Sequence, residues 1–187
     1  MARASTPARP PGRPRAGIDA EVYAATLSTI HELGYTRATV DRIAAAAGVA
    51  KTTIYRRWPS KGALITACLV DAFGPIPLNQ SDSPAQVLES GFRLAAAKIG
   101  EPGVGAAFAG VFTDAMSDPE LRHVLSTQLQ DPYRIVLEEA LGESTQRILF
   151  FIDVTIGALL HRMGMTGEPM VEEDVDALMR MILRELG

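Results

Sequence analysis

The segment 39–58 constrains the fold more than any other stretch of the sequence. It contains two short helical patterns separated by a glycine, which predicts two short helices joined by a tight turn. The parts of this pattern are, in chain order, a capping Thr39, a helix over 40–47, Gly48, the apolar Val49 and a helix over 51–57. This arrangement is typical of a helix-turn-helix unit, whose second helix lies in the major groove of DNA.

Charge is distributed unevenly along the 187 residues. Residues 1–70 contain 10 Lys and Arg against 4 Asp and Glu, whereas residues 71–187 contain 8 against 18, so the two net charges are +6 and −10. This division predicts one region that binds a polyanion and another that stays away from it. Uneven surface charge without a function is the alternative.

The second helix of the motif carries residue types that suit DNA. Lys51 and Thr52 open it, where a lysine can bond to guanine acceptors and a threonine methyl can contact a thymine methyl. Tyr55 and Arg56 lie one turn later and suit phosphate.

Two further side chains flank that helix. Trp58 is expected to pack its ring on the first helix and to direct its N–H outward, and Lys61 suits a flanking phosphate. The predicted DNA-contacting set of the folded region is Thr39, Lys51, Thr52, Thr53, Tyr55, Arg56, Trp58 and Lys61.

Residues 1–17 contain four prolines, four arginines and no acidic residue, which predicts a disordered basic arm. Order is expected to begin near Ile18, with Asp19 as a helix cap. The triplet Gly-Arg-Pro around Arg13, with Arg15 nearby, is similar to an AT-hook core that enters a narrow A·T minor groove. A solubilising tail with nonspecific attraction to phosphate is the alternative.

The rest of the chain shows helical patterns and no strand pattern. The predicted helices outside the motif cover 18–33, 61–73, 84–99, 103–116, 118–141, 144–165 and 172–186. Pro132 predicts a kink or break within the fifth of these. The predicted fold class is therefore all-α, with about nine helices.

The segment TVDRIAAAAGVAKTTIYRRWPSKGAL resembles the N-terminal domain of TetR/AcrR-type transcriptional regulators. The matching positions are Thr39, Ile43-Ala44, Ala47-Gly48-Val49, Thr53-Ile54-Tyr55, Trp58 and Ser60-Lys61. Ala50 departs from the family pattern, which usually has a capping serine there, and Trp58 replaces a more usual phenylalanine. Ala50 is therefore expected to leave the second helix of the motif with a weaker cap and one phosphate-bonding hydroxyl fewer.

A weaker resemblance covers SDPEL, the long helix with a mid-helix proline, IGALLHRMGMTGEP and the last helix. It implies a homodimer whose last two long helices form a four-helix bundle with the partner's, and a cavity in which a small molecule causes release of DNA. The predicted domains are a basic arm over 1–17, a helix-turn-helix domain over 18–60, a connecting helix over 61–74 and an effector-binding and dimerisation domain over 75–187. The predicted function is a regulator, a repressor, that binds palindromic operator DNA.

The helix over 144–165 is too apolar around its circumference for the surface of a monomer. Gly157 and Ala158 would permit close approach of another helix, which favours a two-fold interface. The predicted interface residues are Ile152, Ile156, Leu159, Val175, Met179 and Ile182. Burial within the same chain is the alternative.

Aromatic residues on the helices over 84–141 mark an apolar interior that could hold a ligand. The predicted ligand-binding residues are Phe92, Phe108, Phe112, Met116, Gln128, Tyr133, Phe150 and His161. Apolar composition favours a hydrophobic or aromatic effector. Ordinary core packing is the alternative for each aromatic residue.

No catalytic or metal-binding motif is recognisable. The three histidines are scattered, and a group of His123, Asp114 and Asp118 fits solvated polar residues better than a metal site. The prediction is a protein without enzymatic activity, metal or cofactor. The alternatives are an architectural DNA-binding protein without an effector and an enzyme built on this fold.

The single cysteine, Cys68, lies among apolar residues and is expected to pack in a core, which fits a reducing cytoplasm. No apolar segment follows the basic N-terminus as in a secretory signal, and the apolar runs are shorter than the ~18 residues of a membrane span. The predicted location is the cytoplasm, without a membrane partner.

Overall fold

A computed structural model describes residues 15–185, which form ten α-helices and one π-helical turn. In chain order they are α1 (Arg15–Leu33), α2 (Val40–Ala46), α3 (Lys51–Tyr55), α4 (Lys61–Phe73), α5 (Pro84–Gly100), α6 (Val104–Ser117), α7 (Pro119–Leu125), the π turn (Ser126–Gln130), α8 (Asp131–Leu141), α9 (Thr145–Thr166) and α10 (Glu172–Arg184). The stretch from α7 to α8 is continuous, so nine helical rods make up the described residues. The all-α prediction is confirmed.

Helices α1 to α3 and the first half of α4 enclose a small core. Thr39 caps α2 by accepting a hydrogen bond from the Arg42 N–H at 3.4 Å, and Gly48 makes the following turn at a φ of +65°. The buried side chains of this core are Val22, Val40, Ile43, Ala44, Ile54, Trp58, Leu64 and Cys68. The basic N-terminal segment therefore has a small hydrophobic core of its own.

Helix α4 also belongs to the larger core. Its N-cap is Ser60, whose side chain accepts from the Ala63 N–H at 3.1 Å. Leu64 and Cys68 face the small core, while Ile65 and Leu69 face α6 and its neighbours. A single helix therefore connects both parts through packing rather than as a free linker.

The remaining helices surround two adjoining apolar clusters. One lies among α4, α6, α7 and α9 with contributions from α1 and α5, and the other among α5, α8, α9 and α10. Arg93 fixes α10 to α5 through ion pairs with Glu172 and with Asp176, the latter at 2.7 Å. Helix α10 is thus held in place by both its apolar stripe and its acidic first turn.

Two predicted boundaries differ from the structure. Helix α1 begins at Arg15, so Asp19 lies inside it and pairs with Arg57 instead of capping it. Residues 15–17 of the expected arm are therefore helical, and residues 1–14 lie outside the described residues. Helix α3 ends at Tyr55, because Arg56 and Arg57 form a turn whose N–H groups bond back to Thr52 and Ile54.

The expected interruption at Pro132 takes the form of the π turn. The Asp131 N–H bonds to the carbonyl of Ser126, five residues earlier, just before the proline. Pro132 then occupies the first turn of α8, where its missing N–H costs no helical hydrogen bond. The helix continues past the proline because the wider turn precedes it.

Helix α9 corrects the expectation that no apolar segment is long enough to cross a membrane. Its 22 residues reach that length and composition, and only 17% of its most apolar 18-residue window is buried within the chain. A core helix of a soluble protein can also pass such a test. The exposed apolar surface of α9 indicates that another surface packs against this helix.

Candidate nucleic-acid interface and adjoining cavity

Helix α3 presents an exposed face on the outside of the small core. Ile54 points inward and is buried, whereas Lys51, Thr52, Tyr55 and Arg56 are exposed. These four positions recur at the spacing that puts side chains on one side of a helix. The short helix therefore offers two cations, a hydroxyl and a phenol to the same region of solvent.

Lys51 already has a partner on the neighbouring helix. Its Nζ lies 2.8 Å from the Asp41 carboxylate and 5.7 Å from the centre of the Tyr55 ring. The hydrogen bond to Asp41 is the main reason that the pKa of Lys51 is raised. Because solvent screens such an exposed ion pair, Lys51 can leave it for a ligand at little cost.

The start of α3 lacks a side-chain cap. Ala50 has the extended backbone of an N-cap residue, with φ −70° and ψ 140°, but its methyl group accepts no hydrogen bond. The predicted weak cap is confirmed.

A contact between Tyr35, in the loop after α1, and helix α6 joins the small core to the larger part. The Tyr35 hydroxyl donates to the Asp114 carboxylate, and the ring lies against Gly110, where a Cβ atom would overlap it. Burial is the main reason that the pKa of Tyr35 is raised. The glycine and the carboxylate thus form a socket for this tyrosine.

Lys61 holds the same tyrosine from the α4 side. Its Nζ donates to the Tyr35 carbonyl at 2.5 Å and lies 3.8 Å from the centre of the Tyr35 ring. Burial lowers the pKa of Lys61. The ammonium group is therefore committed to the junction between α1, α4 and α6.

A second close approach lies at the start of α6. Gly103 has a φ of +82°, and a Cβ atom there would overlap the carbonyl of Leu27 in α1. Helix α6 therefore docks on the small core at two glycines, seven residues apart.

A cavity of about 280 Å³ lies on the other side of α6. Phe108 and Phe112 of α6 border it, with their ring centres 4.7 Å apart. Its polar lining groups are Gln130, Tyr133, Asp153 and Thr155. The remaining walls are apolar side chains of α4, α5, α7, the π turn, α8 and α9, together with Ile76 of the loop after α4.

Comparison with known proteins identifies the family. A profile of the family described as "Bacterial regulatory proteins, tetR family" matches residues 22–68, the small core and the first half of α4. Residues 22–68 therefore carry a DNA-binding domain of the TetR family.

Relatives and solved structures agree with this assignment. The HTH-type transcriptional regulator Rv1556 of Mycobacterium tuberculosis (strain ATCC 25618 / H37Rv) is 29% identical over 170 residues, which cover 86% of this chain and 83% of the relative. The HTH-type regulator Rv0767c of the same strain is 34% identical over 107 residues, covering 56% of this chain and 50% of that protein. The fatty acid degradation regulator FadR from Bacillus halodurans has the same fold, with a TM-score of 0.71, 16% identity and coverage of 91% and 97%.

The predicted DNA-contacting residues divide into three groups. Lys51, Thr52, Tyr55 and Arg56 lie together on the exposed face of α3, with Thr53 half-buried behind them. Thr39 is exposed at the start of α2. The two arm residues cannot be placed, since Arg13 lies outside the described residues and only the backbone of Arg15 is described, as the first residue of α1.

Trp58 and Lys61 form the third group. The Trp58 ring packs on α1 as predicted, but its N–H bonds to Tyr23 instead of pointing outward, and Lys61 is not directed toward DNA. Trp58 is 8% exposed and packs 5.4 Å from the Tyr23 ring, because the small core needs a large side chain between α1 and α4. Lys61 is turned toward Tyr35, as described above. Both side chains build the scaffold that presents α3.

The structure brings half of the predicted ligand-binding residues together. Those that line the cavity are Phe92, Phe108, Phe112 and Tyr133. Met116 is 78% exposed and Phe150 59% exposed, while Gln128 and His161 are also at the surface. Phe151 lines the cavity in place of the adjacent Phe150, and Gln130 lines it in place of Gln128 two residues earlier, because helix register decides which residue faces inward.

None of the six predicted dimer-interface residues is fully exposed on the surface of the chain. Leu159, Val175, Met179 and Ile182 are buried within the chain, because the apolar stripe of α10 covers α5, α8 and α9 of the same molecule. Ile152 and Ile156 are half-buried and line the cavity. The apolar side chains that α9 leaves at the surface are Phe150 and Met165.

Proposed function

We propose that this chain is a homodimeric repressor that releases operator DNA when an apolar molecule occupies the cavity beside α6. The observation that carries the proposal is the double role of α6. Phe108 and Phe112 line the cavity, while Gly110 and Asp114 hold Tyr35 of the DNA-binding part. Positions two residues apart on a helix lie on opposite sides, so α6 contacts the cavity with one face and the DNA-binding part with the other.

A ligand that pushes the two phenylalanines also moves the opposite face of α6. Gly110 and Gly103 leave no clearance at Tyr35 and at Leu27, so the DNA-binding part must follow the helix or break contact with it. A change in the angle of that part changes the distance between the two α3 helices of a dimer, and hence the fit to a palindromic site. Ligand binding and DNA binding thereby compete.

For DNA recognition, we assign base contacts to Lys51 and Thr52 and phosphate contacts to Tyr55 and Arg56. Their exposure on one face of α3 supports this assignment. The division into a DNA-binding domain over 18–60, a connecting helix over 61–74 and an effector domain over 75–187 belongs to the same proposal, with α4 packed on both sides. The proposal also includes a minor-groove contact by Arg13 of the N-terminal arm and a cytoplasmic location for the protein.

For the dimer, we assign the outer face of α9. Phe150, Val154, Gly157, His161 and Met165 follow one another at intervals of three or four residues and so share one side of the helix. A Cβ atom added at Gly157 would meet no atom within 4 Å, which leaves room for a second helix. A second copy would cover this face by an isologous contact.

The dimer is tested by analytical ultracentrifugation of Phe150→Glu. A dimer that becomes a monomer is the expected result, since a carboxylate in an apolar interface has no partner. Met116→Glu on α6 is the matched control, because Met116 is an even more exposed apolar residue outside this face. A Phe150→Glu protein that associates like the wild type would overturn the assignment.

Release of DNA is tested with a neutral apolar dye, N-phenyl-1-naphthylamine, whose fluorescence rises in apolar sites. Operator DNA is first obtained by selection from random sequences, and its affinity is then measured by anisotropy with and without the dye. We expect the dye to weaken DNA binding by the wild type and to have little effect on Ile156→Phe, in which a larger side chain fills the cavity.

Met116→Phe, an exposed position on α6, is the control for that substitution. An unchanged DNA affinity at dye concentrations that saturate the fluorescence would favour the architectural alternative, a DNA-binding protein without an effector. Turnover of a bound compound without any sequence-selective DNA complex would favour an enzyme.

A further inference from the structure

We infer that the cavity beside α6 selects an uncharged or positively charged apolar ligand and rejects an anionic one, with Asp153 at its rim as the group that discriminates. The inference rests on the proposed function, because it concerns the ligand of the same cavity. It is carried by a different observation, the distribution of charge around the walls.

The cavity wall is uniformly apolar except on one side. Among the described residues, the lining includes no lysine, arginine or histidine, and Asp153 of α9 is its one charged member. Asp153 is exposed although it lines the cavity, which places its carboxylate where the cavity meets solvent. An anionic head group in the cavity would meet a carboxylate there and no cation.

The arginines near the cavity are engaged elsewhere. Arg93 pairs with Glu89 at 2.9 Å and also with Asp176 and Glu172. Arg134 lies 2.9 Å from Asp131 and 2.7 Å from Glu138, and Arg147 lies 3.4 Å from Glu143. None of the three arginines lines the cavity, and each already faces a carboxylate, so an anionic ligand would have to draw a guanidinium group away from its partner.

The neutral polar groups suit a ligand with a hydrogen-bonding group. The Tyr133 hydroxyl donates to the Gly74 carbonyl, so toward the cavity it can only accept. Burial raises the pKa of Tyr133, so its hydroxyl stays protonated at neutral pH. Gln130 and Thr155 are half-buried and add both donors and acceptors.

Size narrows the class further. A volume of about 280 Å³ lies just below the range of about 300–1,000 Å³ that is typical of ligand cavities. This favours a compound with a short alkyl chain or one or two rings over a long-chain lipid conjugate.

The test uses three probes with the same ten-carbon chain, namely decyltrimethylammonium, decanol and decanoate. Their dissociation constants are measured without DNA, by calorimetry and by thermal unfolding, below their micelle concentrations. We expect decyltrimethylammonium to bind at least about fivefold more tightly than decanoate, with the affinity of decanol between them. A carboxylate within a few ångströms of the head group attracts the cation and repels the anion strongly enough for this difference even when water surrounds the pair.

Asp153→Asn should remove the difference between the two charged probes and leave the affinity for decanol unchanged. Glu173→Gln on α10 loses the same charge away from the cavity and serves as the control. Tightest binding by decanoate, or an undiminished preference in Asp153→Asn, would overturn the inference, as would the absence of binding by any of the three. Because no DNA is present, failure of DNA release in the dye experiment remains a separate result.

Discussion

The ring of Tyr35 lies directly on the backbone of Gly110, in a gap that no larger residue could share. The ring is held there by the Asp114 carboxylate at one end and by the Lys61 ammonium above its face. This contact is the point at which movement of α6 would reach the DNA-binding part.

Gly110→Ala should imitate the ligand-bound form. A methyl group would overlap the Tyr35 ring, so the ring must leave its socket or α6 must shift. We expect a DNA affinity about tenfold or more below that of the wild type, which corresponds to about 1.4 kcal/mol, measured by anisotropy on the selected operator. Gly17→Ala is the control, since a Cβ at Gly17 in α1 meets no atom within 4 Å. Equal affinities of Gly110→Ala and the wild type would remove Tyr35 from the proposed route.

Lys61→Met should lower stability without changing the salt dependence of DNA binding. Loss of the hydrogen bond and the cation–π contact is expected to cost about 1–2 kcal/mol in the free energy of unfolding, measured in urea. Arg56→Ala is the comparison, because loss of a phosphate contact should reduce the slope of log K against log salt by about one. A reduced slope in Lys61→Met would return Lys61 to the DNA-contacting set.

Ala50→Ser should stabilise α3. The backbone at Ala50 already has the conformation of an N-cap, so a hydroxyl there can accept from a free N–H of the first turn. We expect an increase of about 0.5–1 kcal/mol in the free energy of unfolding. Ala45→Ser, at an exposed position inside α2, should be neutral or slightly destabilising, since serine is a poorer helix former than alanine. A loss of stability in Ala50→Ser would contradict this account of the cap.

Cys68 should be unreactive in the native protein and should weaken stability at high pH. Burial raises the pKa of its thiol from 9.0 to about 12, so the folded chain keeps a proton that the unfolded chain loses. Stability from this group is full below pH 9 and falls as pH rises toward 12, by about 1.4 kcal/mol per pH unit at most. Urea unfolding of wild type and Cys68→Ala at pH 8 and pH 10 measures the difference. Rapid alkylation of the native thiol at pH 8 would refute the burial argument.

Local signals in the sequence predicted much of the fold. The cap at Thr39 and the turn at Gly48 lie where expected, because each depends on a few neighbouring residues. The exposed face of α3 was predictable for the same reason.

Contacts between distant segments were not predictable in this way. Tyr35 and Asp114 are 79 residues apart, and Asp19 and Arg57 are 38 apart, so no pattern along the chain connects them. The apolar stripe of α10 was expected to face a second copy, yet it covers the same chain, since periodicity shows that a face is buried without showing against what. Gly110 offered a signal, as a glycine inside a helix pattern often marks a close approach.

The π turn at Ser126–Gln130 gives the wall of the cavity a property that substitutions alone cannot supply. Its five-residue hydrogen bond, from Asp131 to Ser126, accommodates one residue more than an α-helix would over the same height. Deleting one residue from this turn would restore regular winding and remove one side chain from the wall beside Gln130, while the face that α8 turns to the cavity is kept. Such a helix can acquire a differently shaped recess through insertion or deletion of a single codon, while the residues that build the DNA-reading surface remain untouched.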